Sequence, residues 1–290
     1  MTSGRIWYKE VGVGRKNVPL VALHGGPGST HDALEPLEAL AVERPVLFYD
    51  QLGCGNSEKS DDNSLWDIDR YTEELAQLRQ KLKLERIHLL GHSWGATLAA
   101  HYVITKRPKG IASLTLSSPL LSAPIWGQDQ ARYLLKMPRE VQRIVKEAEI
   151  SGDFANEDYR KAAMKYYKKH LCRLDPWPEC LRRSFSKLAV NIYEYMWGPS
   201  EFTITGTLKE YDCTEKLNEI RVPTLFTCGK YDEATPRSTR VFSRRVAEAE
   251  LAVFAKSSHT SFLEQTNEYL KVLRSFLRRS ERRSGKSSIR

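Results

Sequence analysis

The chain is expected to adopt an α/β fold, a mostly parallel sheet covered by helices on both faces. Three observations point there. Six short runs are apolar without polar alternation, the signature of strands buried on both faces. Segments of helical period lie between them, so strand and helix alternate along the chain. No apolar run in the 290 residues approaches the roughly 20 needed to cross a bilayer, and 41% hydrophobic with 28% charged residues is the make-up of a globular chain.

In order, RIWYKEV opens the chain as one strand-like run, and PLVALHG (19–25), PVLFYDQ (45–51), RIHLLGH (86–92) and IASLTLSS (111–118) follow as buried strands. RYTEELAQLRQKLKL (70–84) and WGATLAAHYVITKR (94–107) are the helices among them. From about Leu121 to Thr205 the rhythm breaks: no buried strand appears, and three stretches of helical spacing predict a helical cap over the strand ends, residues 121–205. PTLFTCG (223–229), RSTRVFSRRVAEA (237–249) and ELAVFAK (250–256) restore the alternation, so residues 1–120 and 206–277 form one discontinuous core domain. The last 20 residues carry eight Lys or Arg and one Glu, hence +7 of the net +9, and residues 278–290 are expected to be a disordered basic tail rather than a nucleic-acid arm. Five scattered cysteines without a C-x-x-C pair argue against disulfides and zinc, and the first residues hold no apolar leader; a cytoplasmic protein without metal or cofactor is the expectation.

GHSWGA (91–96) sets Ser93 where a buried strand passes into a helix. A G-x-S-x-G elbow needs that context, because the sharp turn strains the serine and tolerates only glycines beside it. A hydroxyl is a poor nucleophile until a base removes its proton, and the base must be oriented by an acid. Asp232, in GKYDEATP after one strand, and His259, in KSSHTSF after the next, follow Ser93 in the order this elbow demands. Singly, Asp232 reads as a helix-start acid and His259 as a loop histidine; jointly they make a triad with Ser93. The tetrahedral oxyanion also needs donors, and the backbone N–H groups of Gly26, in HGGPG (24–28), and Trp94 are the candidates.

HGGPG, FYDQLGCGNS (48–57), GHSWGA, MWGPSEFTITG (196–206), CGKYDEATP (228–236) and SSHTSFLEQ (257–265) together resemble the proline iminopeptidases of the α/β-hydrolase superfamily, closest to the tricorn-interacting aminopeptidase type. The likeness runs from about Arg5 to Leu277 and includes the cap. It implies an α/β-hydrolase fold and a serine aminopeptidase that takes proline from short peptides with a free N-terminus, without cofactor. It also implies that Glu201 and Glu233 bind the substrate's amino group. Trp126, Tyr195 and Trp197 are candidates to line a pocket for the pyrrolidine ring, with core packing the plainer role for each. Two departures stand out: Ala96 follows Gly95 where many members have glycine, and a single strand precedes HGGPG, leaving room for a sheet one edge strand short. An amino-acid amidase or an esterase on the same scaffold is the near alternative, and a non-catalytic binding protein the distant one.

Overall fold

Each apolar run becomes a strand in the computed structural model, which describes residues 4–287 and their side chains through Arg282. The strands are β1 (Tyr8–Val11), β2 (Leu20–Leu23), β3 (Val46–Tyr49), β4 (Ile87–His92), β5 (Ile111–Ser117), β6 (Thr224–Gly229) and β7 (Ala249–Phe254). They form one sheet in the order β1-β3-β2-β4-β5-β6-β7. All neighbours run parallel except β1, which pairs antiparallel with β3 at the edge. Among the described residues β1 is the one strand ahead of β2.

Alternation along each strand sends side chains to opposite faces. Val21, Leu23, Leu47, Tyr49 and Leu89 pack with α1 (Ile68–Lys81) and α2 (Trp94–Lys106). Leu20, Ala22, Val46, Phe48 and Leu90 pack instead with the 3-10 helix His31–Val42 and the last helix of the chain. Both faces are therefore covered by apolar surface, which explains why these strands lack polar alternation.

Between β5 and β6 the chain makes α3 (Ala123–Leu134), α4 (Arg139–Ser151), α5 (Glu157–His170), α6 (Glu179–Ser186) and α7 (Val190–Met196). The ends of this insertion meet at an antiparallel bridge between Ser122 and Asp212. Val141 and Val145 of α4 bury against Tyr159, Ala162 and Tyr166 of α5, a small core separate from the sheet's. After β6 come α8 (Pro236–Ser243), α9 (Ser261–Glu264) and α10 (Thr266–Ser287).

The basic tail departs from expectation. Helix α10 runs to Ser287, through most of the stretch expected to be disordered, while 288–290 lie outside the described residues. Composition hid the cause. Glu281, the one acid of that stretch, accepts from the fully buried Arg44 at 2.6 Å and lies 3.1 Å from His88 Nε2. Burial raises its pKa, but hydrogen bonds from His88 and Arg44 outweigh that and bring it down to about 2. Arg278 and Arg279 reach Glu43 and Glu250 on the surface.

Deleting residues 278–290 should accordingly destabilise the chain by about 3 kcal/mol or more, since a buried charge that loses its partner costs about 3–5 kcal/mol. Urea unfolding of the truncated chain checks this, and Glu281→Ala alone should reproduce most of the drop in midpoint.

Candidate active site

Ser93 occupies the single residue between β4 and α2, with φ 55° and ψ −120°. A non-glycine residue there is strained, and such strain persists only where the surroundings over-determine it. They do. The Ser93 N–H donates to Ser117 at 2.9 Å, and its carbonyl accepts from Ala96 and Thr97. A Cβ on Gly91 would overlap the Gly95 carbonyl, and one on Gly95 would overlap the Leu23 carbonyl, so strand and helix close on the turn. The serine opens into a cavity of about 280 Å³ that His259, Glu201 and Glu233 also line.

Asp232 is fully buried in the loop after β6, and each of its oxygens takes two donors. Oδ1 accepts from the Ala234 N–H and from His259 Nδ1, both at 2.8 Å. Oδ2 accepts from the Gly229 N–H at 3.1 Å and the Ser118 hydroxyl at 2.7 Å. Donation from Nδ1 leaves Nε2 of His259 as the acceptor nitrogen in the neutral ring. Nε2 lies 3.6 Å from Glu233 Oε1. Among the hydrogen bonds of the described residues none joins Ser93 to His259. The structure thus closes the Asp232–His259 contact and brings Ser93 and His259 to line the same cavity.

The HGGPG turn abuts the elbow: a Cβ on Gly25 would lie 3.3 Å from Ser93 Cβ. Gly26 has φ 110°. Trp94 is the first residue of α2, so its N–H has no acceptor within the helix. Gln51 ties the two donors' segments together. Its amide nitrogen donates to His24 O at 3.2 Å, its backbone N–H to His24 Nε2 at 3.0 Å, and its Oε1 accepts from Trp94 Nε1 at 2.9 Å.

Glu233 is buried, and one of its oxygens, Oε2, has no hydrogen-bond partner among the described residues. Burial, then the charges of Glu201 and Asp232, raise its pKa well above the usual carboxylate range. Glu201 accepts from the Tyr193 hydroxyl at 2.6 Å. Burial raises its pKa too, against the pull of that hydrogen bond and of His259. The three aromatics do not join the cavity lining. Trp126 instead packs edge-on to His259 and Trp197 and donates to the Glu201 carbonyl at 3.1 Å, Trp197 is buried in the main core, and Tyr195 faces outward. Chemically the site combines a strained hydroxyl, a buried Asp–His pair, backbone donors and two carboxylates short of a cation, a set suited to acyl transfer from an amine-bearing substrate.

The alpha/beta hydrolase fold family model matches residues 18–266. A proline iminopeptidase of Heyndrickxia coagulans is 46% identical over 278 residues, covering 96% of both chains. The chain belongs to the proline iminopeptidase family of the α/β hydrolase fold. Two crystal structures are similar over 96% of both chains: VinJ, at TM-score 0.93 and 33% identity, and a proline iminopeptidase of Mycobacterium smegmatis, at 0.88 and 30%.

Several residues that position this family member's site escape sequence reasoning. Ser118 has a left-handed φ of 49°, and its hydroxyl oxygen lies within hydrogen-bond distance of both Asp232 Oδ2 and the His259 carbonyl. In TLSSP it is one small polar residue among three, without any spacing to single it out. Carbonyls at the end of α5 accept from the Glu233, His259 and Thr260 N–H groups. Backbone bonds of this kind leave no residue signature at all. His92, buried against His259, donates its Nε2 proton toward the His259 carbonyl at 3.0 Å, and burial followed by the neighbouring His259 charge keeps it from protonating readily.

A hydrogen bond to a charged acceptor contributes about 1.5–3 kcal/mol. Ser118→Ala should therefore lower stability by about that much and, through a less well held Asp232, lower kcat about tenfold or more; equal kcat at a temperature where the variant stays folded would show that Ser118 does not position the pair.

Glu233 carries a stability cost of defined sign. Its pKa is raised on folding, so between the unfolded value, about 4.3, and the raised one the folded state binds the extra proton, and stability falls as pH rises through that window. Glu233→Gln removes its share of the slope. At pH 8 this variant should unfold at higher urea than the parent, and the two midpoints should converge towards pH 4.

Proposed function

We propose that this protein is a serine aminopeptidase that releases an N-terminal residue, preferentially proline, from short peptides through an acyl-enzyme. The observation that carries the reading is the pair of carboxylates, Glu201 and Glu233, in the cavity that Ser93 opens into, with no Lys or Arg among the lining residues to neutralise them. A substrate ammonium supplies the missing charge. The 46% identity to a relative named proline iminopeptidase supports the choice of residue.

In the proposed reaction the substrate amine docks at Glu201 and Glu233, which sets the carbonyl carbon of the first residue at Ser93. His259 Nε2 takes the Ser93 proton as Oγ bonds to that carbon. The oxyanion that forms is held by the Gly26 and Trp94 N–H groups, each well-placed donor contributing roughly 3–4 kcal/mol. Asp232 steadies the imidazolium, which then protonates the leaving amine as the C–N bond breaks. Water, deprotonated by His259, frees the residue and restores Ser93. The partners are short peptides with a free N-terminus. The reducing cytoplasm suits five buried, unpaired thiols, and no helix among the described residues is long and apolar enough to cross a membrane.

An amidase or esterase of the same scaffold shares the nucleophile but not the whole substrate profile. On prolyl amides and Pro-Xaa peptides, Ser93→Ala should lose about 10⁴-fold or more of kcat. N-acetylation of the substrate should lower kcat/KM at least about a hundredfold, as a buried charge left unpaired costs about 3–5 kcal/mol and 1.36 kcal/mol is tenfold. Blocked and free substrates cleaved at equal rates would assign the glutamates another task.

A further inference from the structure

The cavity beside Ser93 has two chemically different walls. One presents Glu201, Glu233 and Tyr193. The other is built by Ala33, Leu34, Leu171, Leu181, Phe185 and Leu188, from the 3-10 helix that follows the HGGPG turn, the end of α5, and α6 with the turn after it. Ala33, Leu171 and Leu181 pack into one apolar cluster with Cys172 and Trp177, distinct from the core that holds Trp126 and Trp197 behind the glutamates. Phe185 is 38% exposed although its ring packs 5.0 Å from Trp177, so an apolar face remains open at the cavity.

With the amine at the carboxylates and the carbonyl at Ser93, only the α-carbon of the first residue lies between, so that residue is used up close to the glutamates. A volume of about 280 Å³ approaches the roughly 300–1,000 Å³ of pockets that hold drug-sized ligands, more than one pyrrolidine ring fills. What lies past the scissile bond has to occupy the rest. We propose that the apolar wall is the subsite for the leaving part of the substrate, and that it selects peptides whose second and third residues are apolar. The charge of the lining sharpens the choice: three glutamates, Glu194, Glu201 and Glu233, and no Lys or Arg leave an acidic residue behind the scissile bond without a partner. The inference rests on the aminopeptidase reading above and adds the class of peptide it acts on.

The test uses the full-length enzyme with prolinamide, with Pro-Xaa-NH2 in which Xaa is Gly, Leu, Phe, Asp or Lys, and with Leu-Gly-NH2 and Phe-Gly-NH2. Leu and Phe should exceed Gly in kcat/KM by about thirtyfold, about 2 kcal/mol at 1.36 kcal/mol per tenfold, the scale of burying one such side chain. Asp should fall below Gly. Phe185→Ala and Leu188→Ala, both trimmed at partly exposed positions, should each shrink the Leu-to-Gly ratio to about threefold, chiefly through KM. Turnover of prolinamide with no dependence on Xaa overturns the subsite and leaves the aminopeptidase standing, as does a ratio that both variants leave unchanged. Variants that alter only the choice between Pro, Leu and Phe at the first position give the wall to the first residue and overturn the inference as well. If no prolyl compound is turned over, the aminopeptidase reading falls and the subsite with it.

Discussion

A carboxylate removed from water is tolerated only where hydrogen bonds replace its hydration, and Asp232 obtains four of them from four different segments. The Gly229 N–H comes from the end of β6, Ala234 from the loop itself, Ser118 from the end of β5 and His259 from the loop after β7. If any donor moved, buried charge would be left short of partners, so the loops at the carboxyl ends of three adjacent strands are fixed relative to one another. The histidine ring inherits that fixity through Nδ1, and with it the direction of Nε2. Sheet order brings the strands side by side; this one side chain sets the loops to atomic distance.

The helical insertion is tied into the same arrangement. Gln130 of α3 donates to the Glu233 carbonyl at 3.0 Å, and Asp129 beside it accepts from Thr235 at 2.6 Å. The carbonyls of His170 and Leu171 at the end of α5 hold both functional loops by their N–H groups. On the far side α6 is clasped to the 3-10 helix, where Arg183 and Lys187 converge on the buried Asp32 at 2.7 and 3.0 Å. Although burial works the other way, hydrogen bonds from Thr30, Arg183 and Lys187 keep that carboxyl ionised far below the usual range. Fastened at both flanks, the insertion forms fixed walls of the cavity, and its placement shares the constraints that hold His259.

The parts read from sequence are those whose chemistry demands particular residue types in a particular order. Two glycines around Ser93, an acid after β6 and a histidine after β7 leave a pattern because the elbow and the hydrogen-bonded pair admit few substitutes. Strands β2 to β6 were legible because full burial removes polar alternation, whereas β1 and β7, at the two edges of the sheet, are only partly buried. Other features leave no such mark. Ser118 and the α5 carbonyls act through groups that every sequence contains. The fate of the basic tail turned on Glu281 meeting Arg44 across 237 positions, a pairing that local composition does not encode. Trp126 and Trp197 have the bulk to line a pocket but take the plainer packing role, Trp126 against His259 and the Glu201 carbonyl and Trp197 behind it in the core.

The two glutamates tie these threads to function. Each is held where the protein itself offers little positive charge, and Glu233 more so, since the charges of Glu201 and Asp232 add to its burial. Such a pair holds protons more tightly than free carboxylates do, and it gives them up when a cation arrives, because the ammonium's field reverses the repulsion that raised their pKa values. In the proposed reaction, recognition of a free amino terminus would thereby be linked to proton release close to His259. The carboxylates weaken the resting fold, and in the proposed reaction the substrate's ammonium is the contact that would relieve them. On the proposed reading, selectivity for the amine and instability at the site follow from the same buried charges.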